Sequence, residues 1–256
     1  MIVLVTGASS GFGAEIARRF AREGHRVIGA GRRVDRLEAL RAELGADRLF
    51  VMPLDVRDGD AVATAIAGLP PDLAAIDLLV NNAGLALGLE PAHKASLDDW
   101  NRMIDTNCKG LMTVTRAVLP GMVARNRGHV VNLGSTAASW PYAGANVYGA
   151  TKAFVHQFSL NLRADLAGTR VRVTVVEPGM VAGTEFSNVR FHGDGAKAAQ
   201  VYADTDPLTA GDIADTVFWL ATLPERVNIN LIELMPVAQS FAGYTVSRTA
   251  AKSDKT

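Results

Sequence analysis

Short apolar, β-branched runs alternate with longer helix-patterned stretches along nearly the whole chain, and few folds accommodate that alternation. The runs "IVLVT" (Ile2–Thr6), "RVIGA" (Arg26–Ala30), "LFVMPLD" (Leu49–Asp55), "DLLVNNAG" (Asp77–Gly84), "HVVNLGS" (His129–Ser135), "VRVTVVEP" (Val171–Pro178) and "NINLIELM" (Asn228–Met235) read as strands. Helices are expected over Phe12–Glu23, Val34–Leu44, Asp58–Leu69, Asn146–Leu166 and Thr209–Leu223, with a long one from Ser96 toward Asn126. In the first of these, Phe12, Ile16, Ala17 and Phe20 recur at helical spacing and Gly24 stops the run. A continuous apolar strand such as Ile2–Thr6 suits a parallel sheet buried on both faces. Strands and helices taking turns without an internal linker predict one doubly wound, Rossmann-type α/β domain with a parallel sheet of about seven strands. That domain is expected over residues 1–247, ahead of a small, polar tail at 248–256. Residues 180–208 lack a clean period and are expected to form a lid over a site. "SLDD" (Ser96–Asp99) looks like a capping box, and Pro120 is expected to kink or divide the helix that follows it.

The loop between the first strand and first helix, "TGASSGFG", carries Gly7, Gly11 and Gly13, with Ser9, Ser10 and Phe12 between them. Glycine serves where backbone must turn tightly or touch a ligand, and the amides opening a helix favour an anion such as pyrophosphate. The bland alternative is a plain glycine-rich turn; its place after a strand and before a helix favours nucleotide binding. In such a fold the end of the second strand meets the adenine ribose, about 20 positions past the glycines. There the sequence has Arg32 and Arg33 in place of a carboxylate. Guanidinium forks chelate a 2′-phosphate, so NADP is expected over NAD. Two solvated arginines are the alternative, but cations are disfavoured at a helix start and call for an anion nearby. Leu54 and Asp55, ending the third strand, and "NNAG" (Asn81, Asn82, Ala83, Gly84), ending the fourth, lie on the sheet edge where such folds bind the adenosine side.

A second constellation spans Gly134 to Phe154, "GSTAASWPYAGANVYGATKAF". Ser135 closes the fifth strand on the same edge as the glycine loop. Tyr148 and Lys152 stand one helical turn apart on one face of the next helix. An ammonium beside a phenol, with a positively charged nicotinamide, favours the phenolate. Moving a phenol from about 10 toward 7 takes roughly 4 kcal/mol, which two positive charges in a dry cleft can supply. The phenolate then acts as base toward an alcohol and the phenol as acid toward a nascent alkoxide. The serine holds the same oxygen, and hydride transfer is the cofactor's own chemistry.

"TGASSGFG", "NNAG", Ser135, "YGATK" and "EPG" (Glu177–Gly179), in that order and spacing, resemble the short-chain dehydrogenase/reductase family over nearly the whole chain. The resemblance implies a fourth catalytic residue, Asn107, which in that family helps bend its helix and hold a water linking the lysine to solvent. It also implies that Lys152 bonds the nicotinamide ribose and that the segment from Pro178 and Gly179 contacts the carboxamide. Here the threonine of that segment, Thr184, falls one place late behind Gly183, so Val181, Thr184 or nearby backbone would make the contact. Further stretches are similar to the NADP-dependent 3-hydroxy acid dehydrogenases of the family, which oxidise L-serine and L-allo-threonine and reduce malonic semialdehyde. Such a substrate needs a cation for its carboxylate. Arg190 in the lid is the first candidate, with Lys94 and His93 behind it; Trp140, Tyr142 and Phe186 either wall the pocket or pack. The resemblance further implies a homotetramer built on the long helices.

The remaining totals narrow the partners. A formal net charge of zero gives no global attraction to nucleic acid or an acidic membrane face. The single cysteine, Cys108, permits no disulfide framework and suits a reducing compartment. "MIVLVTGASSG" lacks the basic lead of a signal peptide, no apolar run approaches the roughly 18 residues of a bilayer span, and a cytoplasmic location is expected. His25, His93, His129, His156 and His192 are scattered without metal-ligand spacing, so no metal is expected. Two rival readings stand: a dehydrogenase or reductase for a sugar, steroid or acyl thioester, and a nucleotide-binding scaffold without turnover.

Overall fold

The computed structural model describes residues 1–241; residues 242–247 of the expected domain and the tail at 248–256 lie outside the described residues. Seven parallel strands form one sheet in the order β3-β2-β1-β4-β5-β6-β7. They are β1 (Ile2–Thr6), β2 (Arg26–Gly31), β3 (Leu49–Pro53), β4 (Leu78–Asn81), β5 (Gly128–Leu133), β6 (Val171–Pro178) and β7 (Leu231–Leu234). The helices are α1 (Gly11–Arg22), α2 (Val34–Leu44), α3 (Gly59–Ala67), α4 (Leu97–Ile104), α5 (Leu111–Ala124), α6 (Asn146–Asp165), α7 (Phe186–Arg190), α8 (Gly195–Gln200) and α9 (Ala210–Thr222). The predicted strands and long helices are all present, shifted by a few residues at their ends.

Both faces of the sheet are covered. On one side Ile16, Phe20, Leu37 and Val217 of α1, α2 and α9 pack on Val3, Val5 and Val27. On the other, Val62, Val114, Val118 and Leu162 of α3, α5 and α6 pack on Leu4, Ile28 and Val130. This double burial is why the strands are apolar on successive residues, not alternating ones. The chain winds outward from β1 to β3, then restarts at β4 on β1's other side. The loops after β1 and β4 therefore part company there and open a crevice at the carboxyl edge of the strands.

The long helix departs from expectation. It is interrupted not at Pro120, which sits inside α5, but by a wide π-type turn over Asp105–Gly110. The side chain of Asn107 explains the break: its Nδ2 donates to Leu85 O at 2.8 Å and its Oδ1 accepts from Leu85 N at 2.9 Å, pinning the turn to the loop after β4. Ser96 does cap the helix, accepting from Asp99 N. The full reciprocal box lies instead at the start of α9, between Thr209 and Asp212. The segment at 180–208, whose sequence has no clean period, holds two short helices, α7 and α8.

Candidate active site

At the β1–α1 turn, Gly7 has φ +69° and Gly11 φ +52°, conformations that L side chains rarely adopt. A Cβ on Gly13 would collide with the Gly7 carbonyl oxygen, so that glycine lets α1 seat against the strand. Gly13 is buried behind the loop, and the surface facing the crevice is that of Gly7, Ser9, Ser10, Gly11 and Phe12. The first turn of α1 has no acidic residue and no side-chain cap, so its amides are left for an anion. Thr6 fixes the neighbouring loop, its Oγ1 accepting from Asn82 N and Ala83 N, both at 3.0 Å. Asn82 Nδ2 donates to Thr6 O at 2.8 Å. Asn81, by contrast, turns inward, donating to Thr115 Oγ1 and Asn132 Oδ1 at 2.8 Å beneath the sheet edge.

Gly7, Ser9, Ser10, Gly11, Phe12, Asn82, Ala83 and Gly84 line a cleft of about 320 Å³. Arg32, Arg33, Leu54 and Asp55 stand at one end; Tyr148, Lys152 and Gly134 stand at the other, with Thr184 and Phe186 across the top. Arg32 is exposed there. The Asp55 carboxylate accepts from the Arg57 guanidinium at 2.6 Å, and this contact holds it below its usual range. Val181 is buried and bridges Leu208, while Thr184 packs against Gly11. Gly179, following Pro178, sits against the Gln239 side chain.

At the catalytic end Tyr148 and Lys152 are 7% and 8% exposed, and Lys152 Nζ donates to Leu133 O at 2.8 Å. Burial pushes the phenol up to about 12, opposed by the Ser135 hydroxyl and more weakly by Arg190. Burial draws Lys152 down to about 8, countered by Cys108 and Glu177. The protein's own groups thus leave the phenol above its ordinary value; the lowering expected from the sequence draws also on the charge of a bound nicotinamide. The cation nearest the phenol in effect is Arg190, whose Cζ lies 5.4 Å from the Tyr148 ring centre, and not Lys152, whose Nζ lies 5.9 Å away. Asn107 Nδ2 also donates to Thr151 Oγ1 at 3.0 Å, one residue from Lys152. Burial holds Cys108 up near 11, leaving it a thiol packed in the wall.

Arg190 closes the site from above. Its Nη2 donates to the Tyr142 hydroxyl at 2.6 Å, and its guanidinium sits among the rings of Tyr142, Tyr148 and Phe186. Phe186 meets Tyr148 edge-on, with ring centres 5.8 Å apart. Trp140 turns away, donating to Glu233 Oε2 at 2.9 Å, and Lys94 and His93 stand exposed outside the cleft lining. Sequence reasoning missed Thr106, Glu185 and Val189, which also line the cleft. Glu185 was open to suspicion as the one acid beside Thr184; Thr106 and Val189 carried no signal. Among the described residues no three His, Cys, Asp or Glu side chains gather as metal ligands, and no helix is long and apolar enough to cross a membrane.

A nucleotide-type cradle and a Tyr–Lys pair at opposite ends of one cleft, with Ser135 hydrogen-bonded to the tyrosine hydroxyl, on a parallel sheet of this order, define a dinucleotide-dependent dehydrogenase fold, and the chain belongs to the short chain dehydrogenase family, whose profile matches residues 1–194. Among its relatives, the "NADP-dependent 3-hydroxy acid dehydrogenase YdfG" of Salmonella typhi is 65% identical over 249 residues, 97% of this chain and 100% of the relative. The "Serine 3-dehydrogenase" of Agrobacterium fabrum is 53% identical over 246 residues, 96% of this chain and 98% of the relative. A solved structure described as "The Closed form of serine dehydrogenase complexed with NADP+" is 63% identical, with a TM-score of 0.96 over 97% of this chain and 100% of that one.

Proposed function

We propose that the chain is an NADP-dependent oxidoreductase acting on the 3-hydroxyl carbon of small 3-hydroxy acids, with L-serine, L-allo-threonine and the 3-hydroxypropionate/malonic semialdehyde pair as its substrate class. The observation that carries this reading is one cleft with Arg32 at its cradle end and Tyr148 and Lys152 at its other, the Arg190 guanidinium lying 5.4 Å from the Tyr148 ring centre. The relatives' names support both cofactor and substrate class. The residues present fit such a cofactor: a glycine loop with positive φ at Gly7 and Gly11 and no room for a Cβ at Gly7 or Gly13, uncapped helix amides, and Arg32, which has no partner among the described residues, where a 2′-phosphate would lie.

When bound, the cofactor supplies a hydride acceptor or donor. Ser9, Ser10, Gly11 and Phe12 would hold its pyrophosphate, Arg32 its 2′-phosphate, and Leu54, Asp55, Asn82, Ala83 and Gly84 its adenosine side, with Arg33 bonded to Ser9, Ser10 and Glu185 beside the cradle and Asn81 bracing that strand end from below. Lys152 would bond the ribose, and Pro178, Gly179, Val181 and Thr184 would border the carboxamide. Tyr148 takes the proton of the substrate hydroxyl in oxidation and returns it in reduction. Ser135 donates to the same oxygen. Asn107 keeps the wide turn in place behind Lys152. Arg190 pairs its fork with the substrate carboxylate, which is what separates a hydroxy acid from an uncharged alcohol.

Following reduced-cofactor absorbance with a panel of 3-hydroxy acids and simple alcohols tests the reading; equal turnover of uncharged alcohols would overturn it. Arg190→Ala is expected to raise KM for serine about ten- to a hundred-fold, the equivalent of losing a charged hydrogen bond of about 1.5–3 kcal/mol. An unchanged KM removes Arg190 from the pocket. Arg32→Ala is expected to lower the preference for NADP over NAD, measured as the ratio of kcat/KM values. The same reading puts the enzyme in the cytoplasm as a homotetramer; exposed Leu97, Ile104, Met112 and Val123 on α4 and α5 supply an apolar face for that contact.

A further inference from the structure

The two arginines that the sequence treats alike have different surroundings. Arg33 is fully engaged: Nε donates to Ser9 Oγ at 3.2 Å, Nη2 to Ser10 Oγ at 2.6 Å and Nη1 to Glu185 Oε2 at 2.7 Å. The other Glu185 oxygen accepts from Arg36 Nη1 at 2.6 Å. Arg32 has no hydrogen-bond or ion-pair partner among the described residues and faces the cleft. Cations at the start of α2 call for an anion, and for Arg33 and Arg36 the chain itself provides one, carried in by the lid.

Glu185 stands between Thr184, which packs on Gly11, and Phe186, which packs on Tyr148. At the other end of α7, Arg190 O accepts from Gly88 N at 2.9 Å and its guanidinium reaches Tyr142. The segment is thus tied down at two points on either side of the cleft mouth. One is the Glu185 bridge over the phosphate cradle and the other is Arg190 over the catalytic ring.

We propose that Glu185 is a positioning residue that fastens the lid across the cleft by bridging Arg33 and Arg36, and that Arg33 consequently serves closure while discrimination for a 2′-phosphate falls on Arg32. The second half rests on the NADP reading; the first does not. Release of the bridge frees Phe186 and Arg190 from the Tyr148 ring, so closure at the cradle end sets the geometry at the catalytic end.

The test is hydrogen exchange of residues 180–208 in the cofactor-free protein, together with stopped-flow fluorescence of NADPH and NADH release. Glu185→Gln is expected to speed lid exchange several-fold, the scale of two half-exposed ion pairs, and to hasten release of both cofactors by the same factor. Arg33→Ala should do the same, and the double variant should add little. Raising the salt concentration should move the wild type toward the variants. Arg32→Ala should leave lid exchange unchanged and weaken NADPH alone. Wild-type lid exchange in Glu185→Gln overturns the clasp. An effect of that variant on NADPH but not NADH overturns it too, because Glu185 would then act through the phosphate site. Unchanged NADPH affinity in Arg32→Ala overturns the assignment to Arg32 and leaves the clasp standing, whereas a wild type that binds NADPH no better than NADH counts against the cofactor reading.

Discussion

Replacing Tyr148 with phenylalanine is expected to lower kcat by a factor of about 10²–10⁴, the usual contribution of a positioned acid–base group, with little change in cofactor affinity. The ring stays: it fills the same buried space, meets Phe186 edge-on and lies under Arg190. Only the hydroxyl is lost, so a fall in turnover with an unchanged melting curve isolates its chemistry from its packing. The pH profile of the parent enzyme adds an independent check. Burial raises the phenol to about 12 in the protein, so the ionised form is a minority at neutral pH and grows as pH rises. Oxidation, which needs the base, should therefore speed up between about pH 7 and 9, whereas reduction, which uses the neutral phenol as acid, should not. Retained turnover in Tyr148→Phe would remove the tyrosine from the mechanism.

Gly13→Ala is expected to damage stability and cofactor binding together. Its Cβ would collide with the Gly7 carbonyl and with Asn82 Nδ2, and neither can retreat. The carbonyl belongs to a backbone held at positive φ, and Asn82 Nδ2 is committed to Thr6 O. Such overpacking costs about 1–3 kcal/mol, which for a domain of this size lowers Tm by roughly 2–12 °C. Because relief can come only by moving α1 away from the loop, the amides at its start lose their aim, and NADP titration should show weaker binding than the stability loss alone explains. Normal Tm and affinity would mean that α1 is not seated as described.

The sheet and its crevice were legible because double burial writes itself into consecutive apolar residues, as in Ile2–Thr6 and Val171–Pro178, whose ends the structure reproduces. The residues of the cradle and of the Tyr–Lys pair were legible because their spacing is local. What escaped the sequence depends on contacts distant along the chain. The residues around Asn107 do not themselves show that its side chain will hold Leu85 and widen the helix there; only the family resemblance pointed to a bend at Asn107, while the local pattern pointed to Pro120. The partner of Arg33 lies 152 positions away, and a basic pair at a helix start reads the same whether its anion is a ligand or a glutamate. The surroundings of Tyr148 are hidden for the same reason: sequence shows that a lysine is one turn away, not that its ammonium donates to Leu133 O.

The wide turn at Asp105–Gly110 has a consequence for the whole rod of which it is part. By admitting a residue without completing a turn, it rotates everything downstream by about 100° relative to an unbroken helix. The portion before it seats Met103 beside Tyr148, and the portion after it seats Val114, Val118 and Met122 in the body of the domain. The turn is thus a phase adjuster between chemistry and scaffold. Shortening the chain by one residue there would put the two halves out of step, whereas the same deletion in an exposed connection would be absorbed.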